Sequence, residues 1–164
     1  MVAKADWQTL ARALRELHRA LMLHAKLDYE RDHALALNPS DLLRLLTTDA
    51  HFGWLRELSE LMVEIDMIED SEPPLRDEVA AAVREAVEHF IAVPAVVAKE
   101  PAAGNGFAAH YWPMVHDDPQ VAMAHAGVKQ VLAAWPLSNQ PDAASRLHAR
   151  HLLTEKARHA KRKT

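Results

Sequence analysis

The stretch Ala50–Asp70, AHFGWLRELSELMVEIDMIED, constrains the fold more than any other part of the chain. It contains no proline, and its one glycine, Gly53, falls in the first turn. Trp54, Leu55, Leu58, Leu61, Met62, Ile65 and Ile68 recur at three- and four-residue steps, which puts them on one face of an α-helix. Glu57, Glu60 and Glu64 recur at the same steps on the far side. A helix with so long an apolar stripe has to bury it against other helices, so this segment is expected to be the central strut of a bundle.

The remaining segments carry the same period. Trp7, Leu10, Leu14, Leu17 and Leu21 stripe a first helix expected from about Ala5 to Asp32. Asn38-Pro39-Ser40-Asp41 reads as a helix start, with Asn38 capping and Pro39 in the first position, and leads into Leu42, Leu43, Leu45 and Leu46. Thr47, Thr48 and Asp49 end that helix and cap the central one. Pro73-Pro74 breaks the chain before a helix from about Leu75 to Val93, which Pro94 stops. A loop with Pro101, Gly104 and Gly106 follows, then a short aromatic helix or turn, Phe107 to Val115, ending near Pro113. Asp118-Pro119 repeats the cap-then-proline signal ahead of a helix to Trp135, and Pro141 opens a last one carrying Ala144, Leu147 and Leu152.

Composition agrees with periodicity. Alanine, leucine, glutamate and arginine favour helix, and there are only 4 glycines. The reading is all-α: a single-domain antiparallel helical bundle of about five to six helices over residues 1–153, with a basic, fraying tail at 154–164. The 0 cysteines exclude a disulfide framework, thiolate metal ligation and a cysteine nucleophile. No run approaches the roughly 18 apolar residues of a membrane span, and the N-terminus has no apolar signal core. A cytoplasmic location is expected.

Charge is segregated. The net −4 combines an acidic middle, Ala50 to Glu88, with a basic end in which Lys156, Arg158, Lys161, Arg162 and Lys163 crowd together. That pattern suits pairing between parts of the chain or between two copies, and the tail alone suits a nucleic acid or another anionic surface. The tail has no aromatic for base stacking. The central helix carries glutamates where a recognition helix would meet phosphate, which excludes DNA readout by Pro39–Leu46 and the helix after it.

Histidine is the anomaly, at 11 residues. The tightest group is His110, His116, Asp117, Asp118 and His125, around the Asp118-Pro119 helix start. Nitrogen and carboxylate donors on a turn and the following helix are the set that closes on Zn²⁺ or Fe²⁺. His148, His151 and Glu155 share one helical face. Neither group matches a named signature, and the plainer alternative is surface or half-buried histidine. His116-Asp117 resembles the His-Asp dipeptide of metal-dependent phosphohydrolases. That family's pattern needs an earlier histidine on another helix and a late aspartate, so no role is carried over.

A second lead is polarity on inward faces. His24 and Asp28 continue the first stripe, and Ser59 and Asp66 flank Met62 on the central helix. A carboxylate and an imidazole in one pocket can do acid–base work. With Trp54, Tyr111 and Trp112 they form a candidate ligand pocket: His24, Asp28, Trp54, Asp66, Tyr111 and Trp112. The plainer alternative is that stripes end where helices leave the core and aromatics plug it. Two functions follow. One is a non-enzymatic binding, regulatory or assembly module that self-associates, most simply as a homodimer. The other is a small-molecule- or metal-binding bundle, an enzyme if the pocket is real, with a His/Asp-lined site.

Overall fold

A computed structural model describes residues 2–71, 76–93, 106–139, 146, 147 and 151, leaving out the side chains of Asp70 and Ser71. Among the described residues every regular element is helical: α1 (Lys4–His33), α2 (Pro39–Thr48), the single turn α3 (Ala50–Gly53), α4 (Leu55–Ser71), α5 (Asp77–Phe90), α6 (Phe107–Asp117) and α7 (Pro119–Ala133). The all-α bundle read from periodicity is therefore the fold.

The capping signals do what their chemistry requires. The Asn38 side chain accepts from Asp41 N at 2.9 Å, with Pro39 first in α2. Asp49 accepts from His51 N at 2.9 Å, and Asp118 accepts from Gln120 N at 2.8 Å ahead of Pro119. Each satisfies an amide that the first helical turn leaves without a partner. The prolines at 73, 74 and 141 and the basic tail lie outside the described residues.

The central strut is not the one the sequence pointed to. α1 packs against α7, α4, α3 and α6, and it buries Trp7, Leu10, Ala11, Leu14, Leu17, Leu21 and Ala25. Leu10, Leu14, Leu17 and Leu21 are wholly enclosed, each contributing about 1.5–3 kcal/mol by leaving water. α1 and α7 run antiparallel: Trp7 meets Trp135 with ring centroids 4.7 Å apart, and His24 meets Asp118 at the other end. α4 lies antiparallel on another side of α1, with Ser59 against His18.

Ala50–Asp70 is also not one unbroken helix. It splits at Trp54 into α3 and α4. The Trp54 indole N–H donates to the His51 carbonyl at 2.9 Å, an acceptor that a continuous helix would give to a backbone amide. The break lets both Phe52 and Trp54 turn into the core.

Pro113 does not end its helix. α6 continues through it to Asp117, although proline removes the amide that would bond Ala109. Phe107, Tyr111 and Met114, four and three residues apart, are all buried on one side, and their burial outweighs the roughly 3 kcal/mol that an internal proline costs. Pro113 itself is exposed.

Candidate functional site

His24 is the point at which the two groups of residues read from the sequence meet. Its Nδ1 lies 2.8 Å from Asp118 Oδ2 at the start of α7, and its Nε2 lies 3.3 Å from Asp28 Oδ2 one turn along α1. Asp28 in turn holds Arg31 at 2.7 Å. All of His24, Asp28 and Asp118 are about a quarter exposed. The placement follows from the stripe: past Leu21 and Ala25 the core face of α1 meets the polar first turn of α7, and polar groups there need partners. The His24 hydrogen bond is the largest cause holding the Asp118 carboxyl below its ordinary range. Burial opposes it as the next-largest effect, and the backbone amides of Gln120 and Val121 add to the lowering.

This junction resembles the orienting half of an acid–base site, in which a carboxylate steers an imidazole. His24 Nδ1 is committed to Asp118 by a hydrogen bond, and its Nε2 faces Asp28 at ion-pair distance. Only the doubly protonated ring donates to both partners.

The other residues of the expected pocket make their described contacts with other partners. Trp54 and Tyr111 are core residues. Trp112 is half-buried, its indole N–H donating to the Ala92 carbonyl at 2.9 Å. Asp66 is exposed on α4. The expected metal set does not gather either. His110 stacks on Trp54 with centroids 5.1 Å apart and planes at 10°. His125 faces Tyr111. His116 and Asp117 are exposed at the end of α6. Among the described residues no three His, Asp or Glu side chains are arranged to hold a metal ion. His110 lies on Trp54, while His116 and His125 both lie against Trp112. Of His148, His151 and Glu155, only His151 is described, and it is buried.

What the histidines do instead is join helices. His51 Nε2–H donates to the Ala25 carbonyl at 3.1 Å, tying α3 to α1. Ser59 Oγ donates to the Leu55 carbonyl at 3.2 Å and lies 3.1 Å from His18 Nε2, tying α4 to α1. Burial holds His18 below the ordinary imidazole value. The Tyr111 hydroxyl lies 2.5 Å from His125 Nδ1, tying α6 to α7. Burial pushes the Tyr111 phenol well up, so it stays protonated, and a neutral His125 accepts from it. Burial and then the charge of Lys129 hold His125 low, and burial and then His51 hold His110 low. Sequence reasoning missed the roles of His18 and His51. The available signal was position: His18 falls four residues after Leu14 on the stripe, and His51 stands in the capped turn beside Phe52.

Two adjoining open grooves lie beside α5, each about 350 Å³, and share Ala81, Leu137, Ser138 and Asn139. One adds Asp77 and Glu78, and the other adds Arg84, Glu85 and Glu88. Arg84 is already engaged with the Trp135 carbonyl and with Glu88. None of the six expected pocket residues lines either groove. No family model matches the chain, and no curated protein or solved structure matches it at a significant level. No helix among the described residues is long and apolar enough to cross a membrane.

Proposed function

We propose that the chain is a non-enzymatic helical assembly module that pairs with a second copy of itself through the outward face of α7. The observation that carries this reading is the character of that face. The exposed residues of α7 are Pro119, Gln120, Met123, Ala126, Lys129, Gln130 and Ala133, and Lys129 is the only charged one among them. Met123 is 68 % exposed at its centre. Exposed surface is ordinarily rich in charge, and depletion of charge around an exposed methionine marks the core of interfaces.

The choice of a second copy rests on charge. A chain of net −4 repels its own copies through most of its surface, but a face nearly free of charge meets itself without repulsion. Gly127 adds a second support. A glycine inside a helix costs about 0.5–1 kcal/mol relative to alanine. A Cβ at 127 would meet nothing within 4 Å, so packing within the described chain does not call for glycine there. A glycine there suits close approach by a helix of another molecule.

Native mass spectrometry of tag-free protein across a concentration series tests the reading. The expected result is a dimer of the 18.3 kDa chain that dissociates on dilution and carries no stoichiometric bound mass. A monomer at every concentration, carrying about one metal ion or organic molecule per chain, would overturn it in favour of the small-molecule- or metal-binding bundle.

A further inference from the structure

Two of the contacts that fasten α6 run through imidazoles with no ion-paired carboxylate among the described residues, as the single His18 tie between α1 and α4 also does. His125, on α7, faces the Tyr111 phenol and the Trp112 indole from α6, and Lys129 from the next turn of its own helix. His110, on α6, lies flat on the Trp54 indole and feels His51 from α3. Among the described residues no carboxylate forms an ion pair with either ring. From α4, Glu57 reaches α6 but accepts from Phe107 N at 3.1 Å. From the α5 end come the Phe90 ring, against Phe107, and the Ala92 carbonyl, against Trp112. From α1 the ionisable group at the α6–α7 corner is His24, and its ring is flanked by Asp28 and Asp118. A proton added to His125 or His110 therefore places charge in a half-buried position beside an ammonium or another imidazole. A proton on His24 sits between two carboxylates.

We propose that the docking of α6 onto α4 and α7 is an acid-sensitive clamp, which loosens when His110 and His125 take up protons while the α1–α7 pair stays closed around His24. This goes beyond the assembly reading and does not depend on it. The sign follows from the direction of the shifts. Both rings are held below the ordinary imidazole value of 6.5 in the folded chain. The stability they contribute is complete above that value and is lost as pH falls below it toward the folded values. Asp118 is also held low, but against a carboxylate value of 3.8, so its contribution is lost only in more acid solution. Between the two ranges the α6 seam weakens at two imidazoles, and the α1–α4 contact weakens at one, His18, which burial also holds low. A charged His110 keeps some attraction to the Trp54 face, so His125 is the larger contributor. Phe107, Tyr111 and Met114 remain buried anchors, so acid raises how often α6 opens rather than expelling it.

Amide hydrogen exchange on the full chain from pH 7 to pH 5, corrected for the intrinsic rate, tests the proposal. Protection over 107–117 is expected to fall by roughly tenfold, and protection over 10–25 in α1, which holds the one low-lying imidazole His18 among four enclosed leucines, to fall clearly less. Equal loss in both regions, or none over 107–117, would overturn it. His125→Gln keeps an uncharged polar group facing Tyr111 and is expected to remove most of the pH dependence; a dependence unchanged in that variant would count against the clamp. Histidine ring NMR on the wild-type chain needs no variant to fold. The rings of His110 and His125 are expected to titrate below 6.5, and titration at or above it would contradict the proposal.

Discussion

α1 and α7 share one antiparallel seam, yet their solvent sides are built on opposite rules. The exposed side of α1 carries Arg12, Arg15, Glu16, Arg19, Arg31 and Asp32, with Arg19 and Arg31 one turn to either side of its two exposed leucines, Leu23 and Leu27. The exposed side of α7 surrounds Met123 with Pro119, Gln120, Ala126 and Gln130. The inward sides are alike, with enclosed leucines on one helix and enclosed Val121, Val128 and Leu132 on the other. The core therefore sets no difference between the two helices. The difference lies in what each offers to water, and a charge-studded face stays solvated where a charge-poor one is suited to a partner.

Substitutions on the shared seam break both helices alike and set the scale. Leu14→Ala removes a fully enclosed side chain where α1 meets its neighbours and is expected to destabilise the fold by about 2–5 kcal/mol, read by urea denaturation. Asp118→Ala strikes the polar end of the same seam. It removes the α7 cap and the Nδ1 partner of His24, for a loss of about 1–2 kcal/mol. In this variant the acid loss of stability below pH 4 should shrink, because a carboxyl held low in the folded chain loses its stabilisation as pH falls through that range. Pro113→Ala acts on α6, away from the seam, and restores an amide to the helix. It is expected to stabilise the chain by about 1–3 kcal/mol, seen as a higher midpoint in thermal unfolding. The smallest effect belongs to the far end of α1. Ala34 ends that helix with φ 50°, a left-handed conformation that favours glycine, so Ala34→Gly should stabilise by about 0.5–1 kcal/mol.

Which parts of this were legible in the sequence follows from the range of the interactions involved. The helices and the caps at Asn38, Asp49 and Asp118 depend on residues three or four apart, and periodicity reads those distances directly. The centrality of α1 depends on which stripes find which, and a stripe on Ala50–Asp70 looks no different from a stripe on α1. The split at Trp54 turns on one indole taking a carbonyl, and the passage of α6 through Pro113 turns on burial against other helices. Both are tertiary overrides of local preference. His24 and Asp118 each stand out in the sequence, but they lie 94 residues apart, and no spacing rule joins them. The histidine excess was visible, and its use as a set of ties between helices was not, because Ser59, Tyr111 and the Ala25 carbonyl are partners for imidazole that no motif records.

Sedimentation velocity over a concentration series, comparing the wild-type chain with Met123→Glu and Leu27→Glu, tests the assembly claim most directly. Both positions are more than half exposed, at 68 % and 54 %, so neither glutamate disturbs the core. The expected result is a wild-type dimer that Met123→Glu returns to the 18.3 kDa monomer and Leu27→Glu leaves intact. A wild-type chain that stays monomeric throughout, or a dimer that Leu27→Glu dissolves and Met123→Glu does not, would contradict it.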